Sequence, residues 1–373
     1  MPQGLPFLER MLHGIAEYAR AEGGWTFTRL PENLGASVRW LEDWSGDGAL
    51  AMIITPDDAR IARGLPYPVV NLASHLANVG LPTVVVDHAA IGRLAARHLL
   101  DHQFRRFGYY GPAGLWYSQS RLAGFREIVE EAGHACDALE AGTASSGWRD
   151  QQKRLETWLA AQRPPVGILA ANDVRAGMVL QACREAGLRV PDDVAVIGVD
   201  NDPVFAEFDD PPLTSVSRND KAVGLRAARL LVDLIAGARP PAGPILVPPD
   251  GIVQRQSTRT IAIEDPIVAD AVRHICQNVR ARFGVEELLK KVPLSRRSFE
   301  YRFRAAIGSS PYDFINAVRV ENAKRMLADP AKMKLAAVAD ACGFNDVRRF
   351  RLVFRRIVGV SPATYRKSVD VSG

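Results

Sequence analysis

Two rhythms of apolar positions alternate along the first two thirds of the chain. Leu8, Met11, Leu12, Ile15 and Ala19 recur at helical spacing and Gly23-Gly24 follows, which predicts a helix over residues 8–21. Ala49 to Ile54 and Val69 to Leu72 are short unbroken apolar runs closed by turn residues, the pattern of strands buried on both faces. Thr83 to Val86 repeats it, followed by a helix over 89–100, a strand at Arg106 to Tyr110 and a helix over 120–131. Val166 to Ala170, a helix over 174–186 and Val194 to Val199 complete the series. Strand, helix and strand at this spacing predict a doubly wound α/β architecture.

The last third is built differently. Arg297, Phe299, Phe303, Arg304, Gly308 and Ser310-Pro311 return 51 positions later as Arg348, Phe350, Phe354, Arg355, Gly359 and Ser361-Pro362. That many matches in one register predict two copies of one unit. In each copy two Phe four apart share a helical face, Gly caps that helix, and Ser-Pro opens the next. Leu335 to Phe344, with small Ala339 inside and Gly343 at the turn, has the helix-turn-helix pattern. The first copy offers Val285 to Val292, a turn at Pro293-Leu294, and Ser295 as the next helix cap. Between the copies, residues 311–327 predict a connecting helix with Phe314, Ile315, Val318, Ala323, Met326 and Leu327 on its apolar side.

Charge separates the same two parts. The 373 residues carry a net +5, yet from Pro266 onward 21 Lys and Arg stand against 10 Asp and Glu, a net of +11. An acidic body with a basic tail points to nucleic acid as a partner of the tail. The polar stretch Gln254 to Arg259 lies at the change and is well placed for a linker. Nothing approaches eighteen consecutive apolar residues, so no membrane span is expected. Cys136, Cys183, Cys276 and Cys342 are too far apart for a metal knuckle or a small disulfide scaffold, and buried thiols in a reducing cytoplasm are expected.

Several strand ends carry polar residues: Asn71 to His75, Asp87-His88, Asn172-Asp173 and Asp200 to Asp202. Ligands of open parallel sheets sit beyond the carboxyl ends of the strands. Asn and Asp there also cap the following helix, so both roles stay open. Arg121 opens a predicted helix against its macrodipole, which an anionic or polyhydroxylated partner would explain.

Ser120 to Phe125, Ala171-Asn172-Asp173, Val190 to Asp200 and Pro212 to Val216 together resemble the LacI-type effector domain, over about residues 5–258. The resemblance implies the type I periplasmic-binding-protein fold, two lobes about a small-molecule cleft, with crossings near residues 84, 215 and 246. It also implies that Arg121, Asn172 and Asp200 hydrogen-bond a sugar, with Asn71 and Asp87 as weaker candidates and Asp87 also able to brace the hinge. Trp116, in the loop expected before Arg121, is a candidate ring for the sugar's C–H face, or ordinary packing. Residues 267–367, closing on Gly359 to Arg366, resemble the AraC-type DNA-binding domain. That resemblance places Arg297, Glu300 and Tyr301 of the first recognition helix, and Val347, Arg348, Arg349 and Arg351 of the second, on or near groove-facing positions. Arg suits bidentate contact with guanine, Glu can accept from cytosine N4, and Val347 could meet only a thymine methyl. Arg355, Arg356, Arg366 and Lys367 are expected at phosphates or in solvent.

The combination is similar to the xylose operon regulator family. It implies an α/β two-lobed type I periplasmic-binding-protein-like domain followed by an all-α double helix-turn-helix domain. Boundaries are expected at 1–258 (one lobe 1–84 with 216–245, the other 85–215, a closing crossover at 246–258), a linker at 259–266, and 267–373 with units at 285–308 and 335–359. The function implied is that of a cytoplasmic, nucleoid-associated, xylose- or aldose-responsive transcription regulator. Its partners would be double-stranded DNA, a second copy of itself and, for an activator, RNA polymerase; no cofactor, metal or catalytic residue is implied. An enzyme is not expected, because Gly108 to Gly114 has GxxGxxG rather than dinucleotide spacing and Pro112 intrudes. A DNA-repair adaptor with a reactive thiol is the other class considered, but Cys276 and Cys342 fall at packing positions of predicted helices. A secreted sugar carrier is not expected, since residues 1–6 lack the character of a signal peptide and the tail is basic. Residues 1–6 also cannot form the buried strand that precedes the first helix in the resembling family, so two strands are expected to lack a neighbour. An in-frame apolar segment encoded just before Met1 would support a start placed too late.

Overall fold

A computed structural model describes residues 6–28, 38–142, 147–260, 262–328 and 333–370, with side chains undescribed at 148, 206–208, 325, 328 and 367–370. The chain forms two compact units, residues 1–262 and 263–373. In the first, the helices are α1 Pro6–Glu22, α2 Pro56–Arg63, α3 His88–Asp101, α4 Trp116–Glu131, α5 Trp148–Ala161, α6 Asp173–Glu185, α7 Pro203–Phe208 and α8 Asp220–Ile235. Its strands are β1 Ala49–Ala51, β2 Val69–Asn71, β3 Val84–Val86, β4 Phe107–Pro112, β5 Cys136–Ala141, β6 Val166–Ala170, β7 Val194–Val199, β8 Thr214–Ser217, β9 Ile245–Val247 and β10 Gly251–Val253.

One lobe is a six-stranded sheet in the order β10-β8-β7-β6-β4-β5, parallel except for β10. The inner strands β4, β6 and β7 are buried on both faces, which is why β6 and β7 read as unbroken apolar runs. On β7, Val194 and Val196 join the core under α5 and α6, while Ala195, Ile197 and Val199 join the one under α3 and α4. The other lobe holds two parallel pairs, β1–β2 and β3–β9, joined by a bridge between Asn71 and Thr83. β1 and β2 pair directly, Ala49 with Val69 through Ala51 with Asn71, and among the described residues no strand lies on the other edge of β1, in keeping with the expected missing neighbour. Met1 to Leu5 lie outside the described residues.

Each lobe is backed by two helices in close contact. A Cβ on Gly14 would lie 2.0 Å from the Lys221 oxygen and one on Gly224 2.0 Å from the Met11 oxygen, so α1 and α8 cross backbone to backbone. Gly92 and Gly124 do the same for α3 and α4, at 2.1 Å from the oxygens of Arg121 and Ala89.

Within residues 246–258 the chain leaves the smaller lobe at β9 and enters the six-stranded sheet at β10, as a closing crossover does. One expectation is corrected here. Gln254 to Arg259 is no linker, for Ser257 and Thr258 are fully buried. The Ser257 hydroxyl donates to the Val196 oxygen at 2.6 Å and accepts from the Thr214 N–H at 2.8 Å. Thr258 Oγ1 lies 2.9 Å from Thr214 Oγ1 and 2.8 Å from His98 Nε2. These polar residues are internal because partnered hydroxyls are tolerated in a core.

The second unit comprises α9 Pro266–Gln277, α10 Val285–Leu289, α11 Arg296–Ile307, α12 Pro311–Ala328, α13 Leu335–Ala341, α14 Val347–Val358 and α15 Pro362–Asp370. The 51-residue repeat becomes two small cores, one around Phe299 and Phe303, the other around Phe350 and Phe354, all four fully buried. Helix α12 serves both, Ile315 in the first and Val320, Ala323 and Leu327 in the second. Gly308 and Gly359 end α11 and α14 at φ 78° and 86°, the left-handed cap for which glycine is suited. Cys183 and Cys342 are buried, but Cys136 is half-buried and Cys276 is exposed, against the expectation of burial.

Candidate effector cleft and DNA-facing helices

Helix α4 begins at Trp116, one turn before the expected start at Ser120. Trp116 is therefore helical rather than in a loop, and Arg121 stands in the second turn, where the macrodipole argument does not apply. The N–H groups of Trp116 and Tyr117, which have no partner within the helix, donate to the oxygens of His75 and Ser74 at 3.0 and 2.9 Å. These two bonds fasten the start of α4 to the loop that follows β2 in the other lobe.

Arg121 is 1% exposed. Its Nε donates to His88 Nδ1 at 3.3 Å and its Nη1 to the Ala171 oxygen. Nη2 lies 4.0 Å from Asp200 Oδ1, and the guanidinium covers the Tyr117 ring at 5.2 Å. Because His88 accepts at Nδ1, its proton resides on Nε2, which is buried without a hydrogen-bond partner. Burial first, then the charges of Arg121 and Arg218, hold His88 well below the usual histidine range. Its ring meets Trp116 edge-on, centroids 6.2 Å apart.

Asp200 follows β7 in a left-handed conformation, φ 113°, where a non-glycine residue is strained. Arg218 Nη1 donates to its Oδ1 at 3.2 Å and Arg10 Nη2 to its backbone oxygen at 2.8 Å. Both arginines also hold the fully buried Asp220, each at 2.9 Å. Burial disfavours the charge on Arg218, yet Asp220 and Asp200 outweigh it and raise its pKa. Asp173 behaves oppositely. Burial, followed by the charge of Asp200, pushes its carboxyl up to about 8, although Ser215 Oγ and the Asp202 N–H donate to it at 2.7 and 2.8 Å.

The remaining candidates divide. Asn172 caps α6, its Oδ1 accepting from the Arg175 N–H at 2.9 Å, and its amide nitrogen has no partner among the described residues. Asp87 caps α3 by accepting from the Ala90 N–H and lies 3.5 Å from Arg93 Nη2 on the same helix. Asn71 is saturated: Oδ1 accepts from Ile53 and Ala73, and Nδ2 donates to the Ala73 oxygen and Thr83 Oγ1. With no exposed surface and no spare hydrogen bond, it is a brace within its lobe rather than an effector contact. Arg10, Arg218 and Asp220 were missed. Arg218 to Asp220 follow β8, so the strand-end rule applied elsewhere would have found two of them.

In the second unit, Ser295 and Asp346 cap α11 and α14. Arg297 is exposed, and Tyr301 is 75% exposed. Glu300 is held by Arg296 at 2.9 Å, and Arg296 also pairs with Glu286, so this carboxylate is already engaged. Val347 is half-buried against the second core, which corrects its assignment as a methyl reader. Arg349 is exposed, but its Nη2 donates to the Tyr312 hydroxyl at 3.0 Å. Arg348, Arg351 and Arg355 are exposed with no ion-pair partner among the described residues. Arg356 pairs with Asp313 at 3.0 Å, and Arg366 donates to the Met333 oxygen at 2.7 Å; the Lys367 side chain lies outside the described residues. Leu352, 65% exposed, was missed, although the 51-residue offset maps Tyr301 onto it.

Residues 96–258 match the periplasmic binding protein-like domain family and residues 288–368 a helix-turn-helix domain family. The chain is 30% identical over 370 residues to the xylose operon regulatory protein of Escherichia coli K12, covering 96% of this chain and 93% of that protein. It is 28% identical over 258 residues to the ribose operon repressor of Bacillus subtilis, covering 68% of this chain and 77% of the repressor. Among solved structures, a xylose-binding transcription activator superposes with TM-score 0.68 at 27% identity, covering 98% of this chain and 96% of the other. The architecture is accordingly that of a sugar-responsive, DNA-binding transcription regulator.

Proposed function

Because this chain belongs to the family of xylose operon regulatory proteins, we propose that its cleft takes xylose or a related aldose and that effector binding alters how paired copies engage DNA. The supporting observation is the convergence on Arg121 of α4, of Asp200 after β7 at 4.0 Å and of the Ala171 oxygen beside Asn172, with His88, which packs on Trp116, left with a buried unmatched donor. A sugar's hydroxyl would complete that bond. A ligand touching both lobes favours the arrangement in which α4 is fastened to the loop after β2, by its differential affinity for that state.

On DNA, Arg297 and Tyr301 of α11 and Arg348 and Arg351 of α14 are the proposed groove contacts, with Arg355 at a phosphate. The protein acts as a homodimer in the cytoplasm at the nucleoid, over two half-sites, and meets RNA polymerase if it activates. Calorimetric titration with a panel of aldoses tests the cleft. Arg121→Ala, Asn172→Ala and Asp200→Ala should each weaken binding by at least about 1.5 kcal/mol, the lower figure for hydrogen bonds to charged groups. Unchanged affinity in all three, with only the thermal stability reduced, would leave them as structural residues and remove the assignment.

A further inference from the structure

We propose that Arg255 is the positioning residue through which effector occupancy at Asp200 reaches the segment leading into the DNA-binding unit. This rests on the aldose-site assignment above and adds the route of the response. Asp200 and Asn201 follow β7 with φ 113° and 48°, two successive non-glycine residues in the left-handed region. Such strain persists only where neighbours hold it, and it gathers in loops that switch. Two of the holding bonds are made within the large lobe's sheet and its helix. The Asn201 N–H donates to Ser215 Oγ at 2.9 Å, and the Asp202 N–H to Asp173 Oδ2 at 2.8 Å. The third comes from the segment after β10: Arg255 Nη2 donates to Asn201 Oδ1 at 2.9 Å.

Arg255 is fixed at its other contacts. Its Nη1 donates to the Leu213 oxygen at 2.9 Å and its backbone N–H to Thr214 Oγ1 at 2.8 Å. The planar guanidinium therefore holds the Asn201 side chain at a set distance from the start of β8. The bonds continue beyond it. Thr214 Oγ1 lies 2.9 Å from Thr258 Oγ1, which lies 2.8 Å from His98 Nε2. The His98 oxygen accepts from the His102 N–H at 3.2 Å, and the His102 oxygen from the Ala262 N–H at 2.9 Å. Ala262 packs in a core of the first unit and Ile263 in a core of the second, so the chain has no spare residue between them. A sugar hydroxyl seated on Asp200 favours one arrangement of the strained loop by the energy of that contact. Arg255 carries the choice into a contiguous network of hydrogen bonds that ends where the second unit begins.

The test compares DNA affinity of the full chain with and without saturating sugar, on a duplex that the wild type selects from a random pool. The sugar is whichever of D-xylose, L-arabinose, D-ribose and D-glucose binds most tightly by calorimetry. In the wild type it should change DNA affinity at least about five-fold, the lower end of common coupling strengths. Asn201→Gly keeps a residue suited to φ 48° and removes the acceptor, while Arg255→Gln removes the donor fork. Both variants should still bind the sugar, yet at saturation the change in DNA affinity should fall below about two-fold. A wild-type ratio in either variant overturns the coupling role and leaves the sugar site standing. Loss of sugar binding in both variants overturns it too, because the pair would then belong to the site itself. Sugar binding that leaves wild-type DNA affinity unchanged overturns the coupling alone. No binding of any of the four sugars by the wild type overturns the effector site and the coupling together.

Discussion

Arginine serves the two halves of this molecule in opposite ways. In the cleft, Arg121 and Arg218 are 1–2% and 11% exposed at the side chain, and each is fixed by named acceptors. On α14, Arg348, Arg351 and Arg355 project into solvent without a counter-ion among the described residues. A buried arginine is tied to its partners, because removing either side strands a charge in a poor dielectric. An exposed one contributes little to folding and keeps its charge available for a phosphate or a base edge. The same residue type is thus fixed among buried partners in one place and left with its charge in solvent in the other.

The largest effect should come from breaking the buried set. Arg218→Met leaves Asp220 with half its cations and should cost about 3–5 kcal/mol of stability, read from chemical unfolding. A loss below about 1 kcal/mol would place Arg218 with the surface arginines. Next comes the pH profile. Asp173 keeps its proton in the folded state up to about 8 but loses it near 3.8 when unfolded. The unfolded chain therefore binds fewer protons across that interval, and stability falls as pH rises through it. Asp173→Asn should flatten this decline. Between about 4 and 6.5 the decline is opposed by His98, which burial and then His102 depress to about 4, so that the loss of stability as pH falls from 6.5 should emerge more steeply in Asp173→Asn. Equal slopes in the two proteins would remove the buried-acid account.

Arg348→Ala should cost about 1–3 kcal/mol of affinity on a selected operator if it reads a base, while folding stability changes by less than about 0.5 kcal/mol. Equal loss on random DNA would make it a phosphate contact instead. Arg355→Ala should lower affinity uniformly and reduce the salt slope by about one. The smallest effect is expected at Leu352, which is 65% exposed on α14, through a thymine-methyl contact. Replacing thymine by uracil should weaken wild-type binding by under about 1 kcal/mol, the scale of one buried methyl, and leave Leu352→Ala unaffected. Wild-type indifference to uracil would sink that contact.

Much of the architecture was already present as pattern. Strand and helix follow from period, since β6 and β7, buried on both faces, can only be unbroken apolar runs. The two helix-turn-helix cores follow from the 51-residue repeat, because Phe at i and i+4 must share a face. Asn172 and Asp200 were reachable as strand-end polar residues, whereas Arg121, in the second turn of α4, was reachable through the family resemblance alone.

Which of those polar groups still has a bond to give was decided only by tertiary structure. Asn71 and Asn172 look alike in sequence, but one is saturated by four partners inside its lobe and the other is not. Val347 and Leu352 are both apolar residues of one basic helix, and only packing against the second core tells them apart. Arg10 and Asp220 are 210 residues apart, so no local period could announce their pairing. Local pattern is set by the turn of the backbone and the side chain's solubility. The protonation of Asp173, the tautomer of His88 and the fate of each arginine depend on neighbours that only the completed fold brings within reach.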